Sequence, residues 1–90
     1  MFYVITYDVG VERVDKIRKF LRRFLKWEQN SVVVGELTKS QFREVRDQIR
    51  SIIKAEEDHV IIFGIRSEEF VDREDLGTPK SKLDGGDLFI

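Results

Sequence analysis

Apolar positions along the chain first form a run that covers both faces of a strand and then recur at a helical spacing. Residues 1–10 are β-branched or aromatic on both faces, which predicts a central strand that ends at Asp8 and turns at Gly10. From Val11 to Lys26 the apolar residues recur every three or four positions and form one stripe. This spacing predicts a helix over those residues, with a basic face opposite the stripe.

The rest of the chain repeats these two patterns, extended segments and a helical spacing. Residues 27–37 are extended in character and predict one bent strand or two short ones, with Ser31 or Gly35 as the break. The segment Thr38-Lys39-Ser40-Gln41 fits a capping box that begins a second helix. Residues 59–65 form an unbroken apolar strand. The order β-α-β(β)-α-β predicts an α+β sandwich of ferredoxin-like type.

The apolar strands also predict a homodimer. Two helices cover one face of such a sheet, yet residues 32–34 and 60–63 are apolar on both sides of their strands. A bare apolar face of that size favours aggregation. We therefore expect two copies to pack their uncovered faces or edges together around a two-fold axis.

The character of the chain changes after Arg66. Residues 67–90 carry seven acidic groups against three basic ones and end in the short apolar run Asp87–Ile90. We therefore expect a core domain over residues 1–66 and an acidic tail over residues 67–90. The tail's terminal run predicts an extra C-terminal strand that crosses to another surface, such as that of a second subunit.

A net charge of −1 conceals a strongly basic helix, since residues 11–26 carry seven basic groups against two acidic ones. A charge run is commonly a solvated surface. Helix-stabilising patterns normally mix the signs, however, so the excess points to a polyanion, bound through its phosphates without base reading. The candidate nucleic-acid-binding residues are Arg13, Lys16, Arg18, Lys19, Arg22 and Arg23.

Composition excludes several classes of protein. The absence of cysteine excludes disulfides and thiolate metal sites, and a single histidine argues against a His-rich zinc site. No apolar stretch approaches the roughly 20 residues of a membrane span, and the first residues lack a signal-peptide pattern. We expect a soluble cytoplasmic protein with no membrane partner.

Asp8 is the candidate catalytic and metal-binding residue. In isolation, a strand-ending aspartate commonly caps a helix or accepts backbone hydrogen bonds in a turn. Near the axis of a dimer it would face its symmetry mate, and a divalent cation would relieve the repulsion between the two carboxylates. Oxygen ligation with several waters suits Mg²⁺ or Mn²⁺, which can activate water or stabilise charge at a phosphate. His59 reads as a structural or surface residue.

Three groups of residues in this order resemble the CRISPR-associated protein 2 family. They are Tyr7-Asp8 closing the first strand, Lys16 to Leu21 in the first helix, and the spacing Gln29-x-Ser31-Val32-x-x-Gly35-Glu36-Leu37. The resemblance covers residues 1–66. The chain departs from the family at Val33, where an aromatic residue is common, and at Trp27, where an arginine is common.

This resemblance implies a homodimer of ferredoxin-like protomers that exchange terminal strands and act in spacer acquisition during CRISPR immunity. In that role the dimer bridges copies of the CRISPR-associated protein 1 integrase and supports a duplex DNA fragment. Family members are also described as metal-dependent nucleases of single-stranded RNA or double-stranded DNA, with the strand-ending aspartate, here Asp8, as the Mg²⁺ ligand. Either Arg13 or Lys16 matches the family's early basic residue. The sequence thus favours a bridging scaffold, with a metal-dependent endonuclease as the alternative.

Overall fold

Four antiparallel strands form one sheet, and the two helices pack on one of its faces. The computed structural model describes residues 1–79. Its elements in chain order are β1 Phe2–Asp8, α1 Val11–Leu21, β2 Lys26–Gln29, β3 Val32–Glu36, α2 Lys39–Ile52 and β4 His59–Ile65, followed by a short 3₁₀ helix, Glu68–Phe70. The sheet order is β2-β3-β1-β4, so β1 is central as predicted. The α+β ferredoxin-like architecture is confirmed; the expected terminal strand lies outside the described residues.

The hydrophobic core lies between the helices and the inner face of the sheet. On β1, Ile5 and Tyr7 are buried in it, and the ring of Tyr3 stacks on Phe42 of α2 with the centroids 4.6 Å apart. Odd-numbered positions of β1 therefore face the helices, as the alternation of a strand requires. The fully buried side chains of the core are Ile5, Ile17, Leu21, Val33 and Val45.

Helix α1 ends at Leu21, so the predicted extension to Lys26 is wrong. Beyond Leu21 the backbone tightens, and the N–H of Arg23 donates to the carbonyl of Phe20 at 3.1 Å. Such i→i+3 bonds are typical of a helix end and redirect the chain. Leu25 still reaches the core while Lys26 begins β2. The apolar residues of the turn, Phe24 and Leu25, continue the helical spacing because the turn and the helix pack their apolar side chains against the same core.

Residues 27–37 form the two short strands β2 and β3, joined by a turn at Asn30 and Ser31. Asn30 takes a left-handed backbone conformation, with φ of 41°, which asparagine tolerates better than most residues. The indole N–H of Trp27 donates to the carbonyl of Asn30 at 2.8 Å and fixes the turn. Gly35 lies inside β3, where a Cβ would meet Leu25 Cδ2 at 3.0 Å. Ser31 is therefore the correct one of the two predicted breaks.

Helix α2 begins at the predicted capping box. The N–H of Gln41 donates to Thr38 Oγ1 at 3.1 Å, and the N–H of Thr38 donates to Gln41 Oε1 at 2.9 Å. Val45, Ile49 and Ile52 recur at a helical spacing and are buried in the core between the helix and the sheet. Neither α2 nor any other helix within residues 1–79 is long and apolar enough to cross a membrane.

The outer face of the sheet is apolar and partly open. On β4, Phe63 is 52% exposed and Ile61 is 38% exposed. At one end of this face, residues 68–75 fold back along β2, where Arg73 Nη2 donates to Glu28 Oε2 at 2.8 Å. The apolar surface along β4 therefore remains in contact with solvent in the single chain.

Candidate functional site at the end of the central strand

Asp8 is exposed at the carboxyl end of β1, beside a depression of about 280 Å³. The residues that line this depression come from the ends of β1 and β4 and from the β2–β3 turn: Thr6, Tyr7, Asp8, Asn30, Ser31, Val32, His59 and Ile61. The carboxylate is thus accessible to a ligand from solvent.

His59 lies directly opposite Asp8 on the neighbouring strand. The two residues are partners in the antiparallel register of β1 and β4, and both are exposed. Residues paired in this way point to the same face of the sheet, with their Cβ atoms about 4.5–5.5 Å apart. Sequence reasoning took His59 for a structural or surface residue. The signal that could have placed it beside Asp8 is that each polar residue terminates an apolar strand.

A buried carboxylate, that of Asp58, fixes this end of the fold. It accepts hydrogen bonds from Arg13 Nε at 2.6 Å and Nη2 at 2.9 Å, from the N–H of Gly10 at 2.9 Å and from the N–H of Lys54 at 2.8 Å. The hydrogen bonds from Arg13, together with those from the two backbone N–H groups, hold the pKa of Asp58 well below its usual range, although burial opposes them. Asp58 therefore ties the β1–α1 loop to the turn before β4.

Arg13 forms an ion pair with the buried carboxylate of Asp58. Its side chain is only 12% exposed, and its Nη1 atom also lies 3.0 Å from Glu12 Oε1. The ion pair with Asp58 raises the pKa of the Arg13 guanidinium above its ordinary value. Arg13 is thus engaged in ion pairs within the protomer, whereas the other candidate nucleic-acid-binding residues lie on α1 or in the turn that follows it. Sequence reasoning missed Asp58, which the sequence analysis does not identify as a candidate residue.

The remaining candidate cations lie on α1 and on the two residues that follow it. We call this surface the α1 basic face and define it by Lys16, Arg18 and Lys19 of α1 together with Arg22 and Arg23, which directly follow the helix. Arg18 Nη2 forms an ion pair with Asp15 at 2.9 Å and is 41% exposed. The guanidinium of Arg22 lies over the ring of Trp27, 4.7 Å from its centroid. The face is a compact array of cations on the helical side of the protein.

Tyr7 lies on β1, next to Asp8, and its hydroxyl is close to Arg22 and Arg18 of the α1 basic face. Burial raises the pKa of its phenol, and nearby Arg22 and Arg18 and a hydrogen bond with Ser31 offset that rise only in part. The hydroxyl therefore stays protonated at neutral pH and serves as a neutral hydrogen-bonding group.

The residues at the end of β1 fit a partly hydrated divalent cation. Asp8 offers carboxylate oxygens and His59 offers an imidazole nitrogen, both on the accessible face of the sheet. Within residues 1–79, no group of three or more His, Cys, Asp or Glu residues is placed to hold a metal ion. Residues 1–79 of one protomer therefore supply too few ligands for a closed metal site, and water or a second protomer would have to supply others.

Comparison with known proteins gives a consistent result. The family model described as CRISPR associated protein Cas2 matches residues 1–73. The chain is 48% identical to the CRISPR-associated endoribonuclease Cas2 of Methanosarcina acetivorans over 81 residues, covering 90% of this chain and 93% of the relative. It is 45% identical to the protein of the same name from Pyrococcus furiosus over 84 residues, covering 93% and 96%. A crystal structure of a Cas2 protein aligns with a TM-score of 0.82 at 41% identity, covering 90% of this chain and 91% of that one.

Proposed function

This chain belongs to the CRISPR-associated protein Cas2 family, and from that membership we propose that it serves spacer acquisition in the cytoplasm as a nucleic-acid-binding homodimer. The dimer supports a duplex DNA fragment and bridges copies of the CRISPR-associated protein 1 integrase. These copies bind the sheet edges or the tails of the dimer. The observation that carries the proposal is the position of two surfaces. The α1 basic face lies on the helical side of the sheet, and the exposed apolar strip of Ile61 and Phe63 lies on the other.

Dimerisation through the outer face of the sheet would cover the apolar strip of each protomer and leave its α1 basic face exposed. A two-fold axis places the same patch of each protomer against its copy, so Phe63 and Ile61 of one chain would cover those of the other. The α1 basic faces then point away from the joint and remain free for phosphates. The carboxyl ends of the two β1 strands, each with its Asp8, would meet along the joint.

Phe63→Asp should weaken the dimer at least about 30-fold, because it places a charge in the centre of an apolar interface. The substitution should leave the protomer folded, since the side chain is already 52% exposed in the single chain. Sedimentation equilibrium over a dilution series measures the association constant, and circular dichroism checks the fold.

Gln48→Asp is the control for that change, because it adds the same charge at another exposed position. Gln48 lies on α2, on the opposite side of the sheet from Phe63. It should leave the dimer intact. Equal weakening by both variants, or a normal Phe63→Asp dimer, would contradict an interface on the outer face.

Reversing three charges of the α1 basic face should weaken duplex DNA binding at least about 100-fold at low salt. The variant carries Arg18→Glu, Arg22→Glu and Arg23→Glu. Each lost phosphate contact reduces the slope of log affinity against log salt by about 0.9, so the slope should fall by up to about 2.7. Fluorescence anisotropy of a labelled duplex at several salt concentrations measures both quantities.

The charge-matched control places the same three reversals on α2, at Arg43, Arg46 and Arg50. If α1 is the contact surface, the α2 variant should retain most of the affinity and a salt slope near that of the parent. Equal losses in the two variants would show that net charge alone sets binding, and the α1 basic face would lose its assigned role.

A metal-dependent endonuclease is the second candidate function, favoured by the exposure of Asp8 beside His59. The relatives compared above are named endoribonucleases, and we extend that activity to this chain, with single-stranded RNA or double-stranded DNA as substrate. Asp8 would hold Mg²⁺ or Mn²⁺, which supplies an activated water and stabilises charge at the phosphate when bound. Lys16 and Arg18 of the α1 basic face would steady the substrate strand.

A further inference from the structure

We propose that His59 is a metal ligand alongside Asp8 and that it shifts the preference of this site from Mg²⁺ toward Mn²⁺. The inference rests on the proposed metal-binding role of Asp8 and adds to it a residue of β4. Its basis is the β1–β4 register, which pairs the chain's one histidine with the exposed carboxylate. Both side chains also line the depression at the end of the sheet.

The position of His59 is fixed by the residue before it. Asp58 is fully buried and accepts four hydrogen bonds, including one from the N–H of Gly10 in the loop that follows Asp8. The first residue of β4 and the last residue of β1 are therefore held from both sides, by the sheet register and by this carboxylate. Because the backbone of both residues is held, only their side chains have to be ordered when an ion binds.

The chemistry of the pair distinguishes among divalent cations. Mg²⁺ prefers oxygen ligands and keeps several waters, so Asp8 alone would suit it. A neutral imidazole binds first-row transition metals better, and Mn²⁺ accepts mixed carboxylate and imidazole ligation. An Asp–His pair on adjacent strands should accordingly raise the affinity for Mn²⁺ more than the affinity for Mg²⁺.

Because the chain has a single histidine, nitrogen ligation can be assigned without ambiguity. The probe is Mn²⁺ alone, added below stoichiometry to the full-length protein. Pulsed electron paramagnetic resonance should detect ¹⁴N coupling to the bound ion in the parent protein, and His59→Gln should abolish that coupling. Calorimetric titration should show about a tenfold or greater loss of Mn²⁺ affinity in His59→Gln, against less than about threefold for Mg²⁺.

Two further variants separate this inference from the proposed metal site itself. Asp8→Asn should remove Mn²⁺ binding, and Asp47→Asn, the same change at an exposed position on α2, should not. If Asp8→Asn abolishes binding but the parent shows no nitrogen coupling, or if His59→Gln binds Mn²⁺ as the parent does, the role of His59 is overturned and the Asp8 site stands. If Asp8→Asn binds Mn²⁺ like the parent, the Asp8 site fails, and the inference that rests on it fails too.

Discussion

Asp8→Asn should reduce metal-stimulated cleavage of RNA or DNA by at least about 100-fold, because the substitution removes the charge that would hold the cation. The fold should not change, since Asp8 is exposed at the end of β1 and the amide has nearly the same size. Duplex DNA binding should persist, because it is assigned to the α1 basic face. Dimerisation should also persist, because the substitution only removes the repulsion between two facing carboxylates and leaves the apolar contacts of the joint in place. Initial rates with end-labelled single-stranded RNA and duplex DNA, in Mg²⁺ and in Mn²⁺, measure the effect.

Parent, Asp8→Asn and Asp47→Asn proteins purified in parallel provide the comparison. Asp47→Asn removes an exposed carboxylate from α2 and should cleave as the parent does. Cleavage that survives undiminished in Asp8→Asn would remove this residue from the hydrolytic reaction. The scaffold function would then be the remaining proposal, since DNA support does not depend on a metal at Asp8.

Asp58→Asn should lower the melting temperature by more than about 10 °C, because it removes the buried counterion of the largely buried Arg13 guanidinium and leaves only the exposed Glu12 beside it. The amide cannot accept all the hydrogen bonds that Asp58 takes from Arg13, Gly10 and Lys54, and its own N–H₂ group faces donors. Differential scanning calorimetry measures the shift. Glu57→Gln, at an exposed neighbour that pairs with Lys54 at 3.5 Å, should change the melting temperature by only a few degrees.

The dependence of stability on acidic pH independently tests the role of the Asp58 carboxylate. Its folded pKa lies below the ordinary value of 3.8, so its contribution to stability is complete above that pH. As the pH falls further, the unfolded chain takes up a proton that the folded chain does not, and the contribution is lost. Unfolding in denaturant at pH 6 and pH 3 should show a smaller acid effect in Asp58→Asn than in the parent. Equal acid dependence in the two proteins would show that Asp58 does not titrate as assigned.

The sequence alone predicts elements that depend on local signals. The strand at Phe2–Asp8, the strand at His59–Ile65 and the capping box at Thr38 were all identified from propensity, periodicity and side-chain capping. The end of α1 was not identified, because Phe24 and Leu25 continue the helical spacing beyond Leu21. The chain turns there so that β2 can join the sheet, and no local signal in the sequence marks that turn. The apolar outer face was predicted from the strands and is exposed, at Phe63 most of all.

Part of the candidate site depends on contacts between distant residues and could not be derived from spacing. The pairing of Arg13 with Asp58 joins residues 45 positions apart, and both have many other possible partners in a chain with 37% charged residues. The same long-range register sets His59 opposite Asp8. Asp8 itself was identifiable because a carboxylate at the end of a central strand is a local pattern, and so was the charge excess of α1.

The central claim is that two protomers join with the carboxyl ends of their β1 strands facing one another. A spin label at Val11→Cys tests it most directly, because the chain has no other cysteine and Val11 is 86% exposed. Its Cα lies within about 11 Å of that of Asp8. Pulsed dipolar spectroscopy should then give one narrow interspin distance of at most about 40 Å. A protein without dipolar coupling, or one with labels well beyond that distance, would contradict the claim.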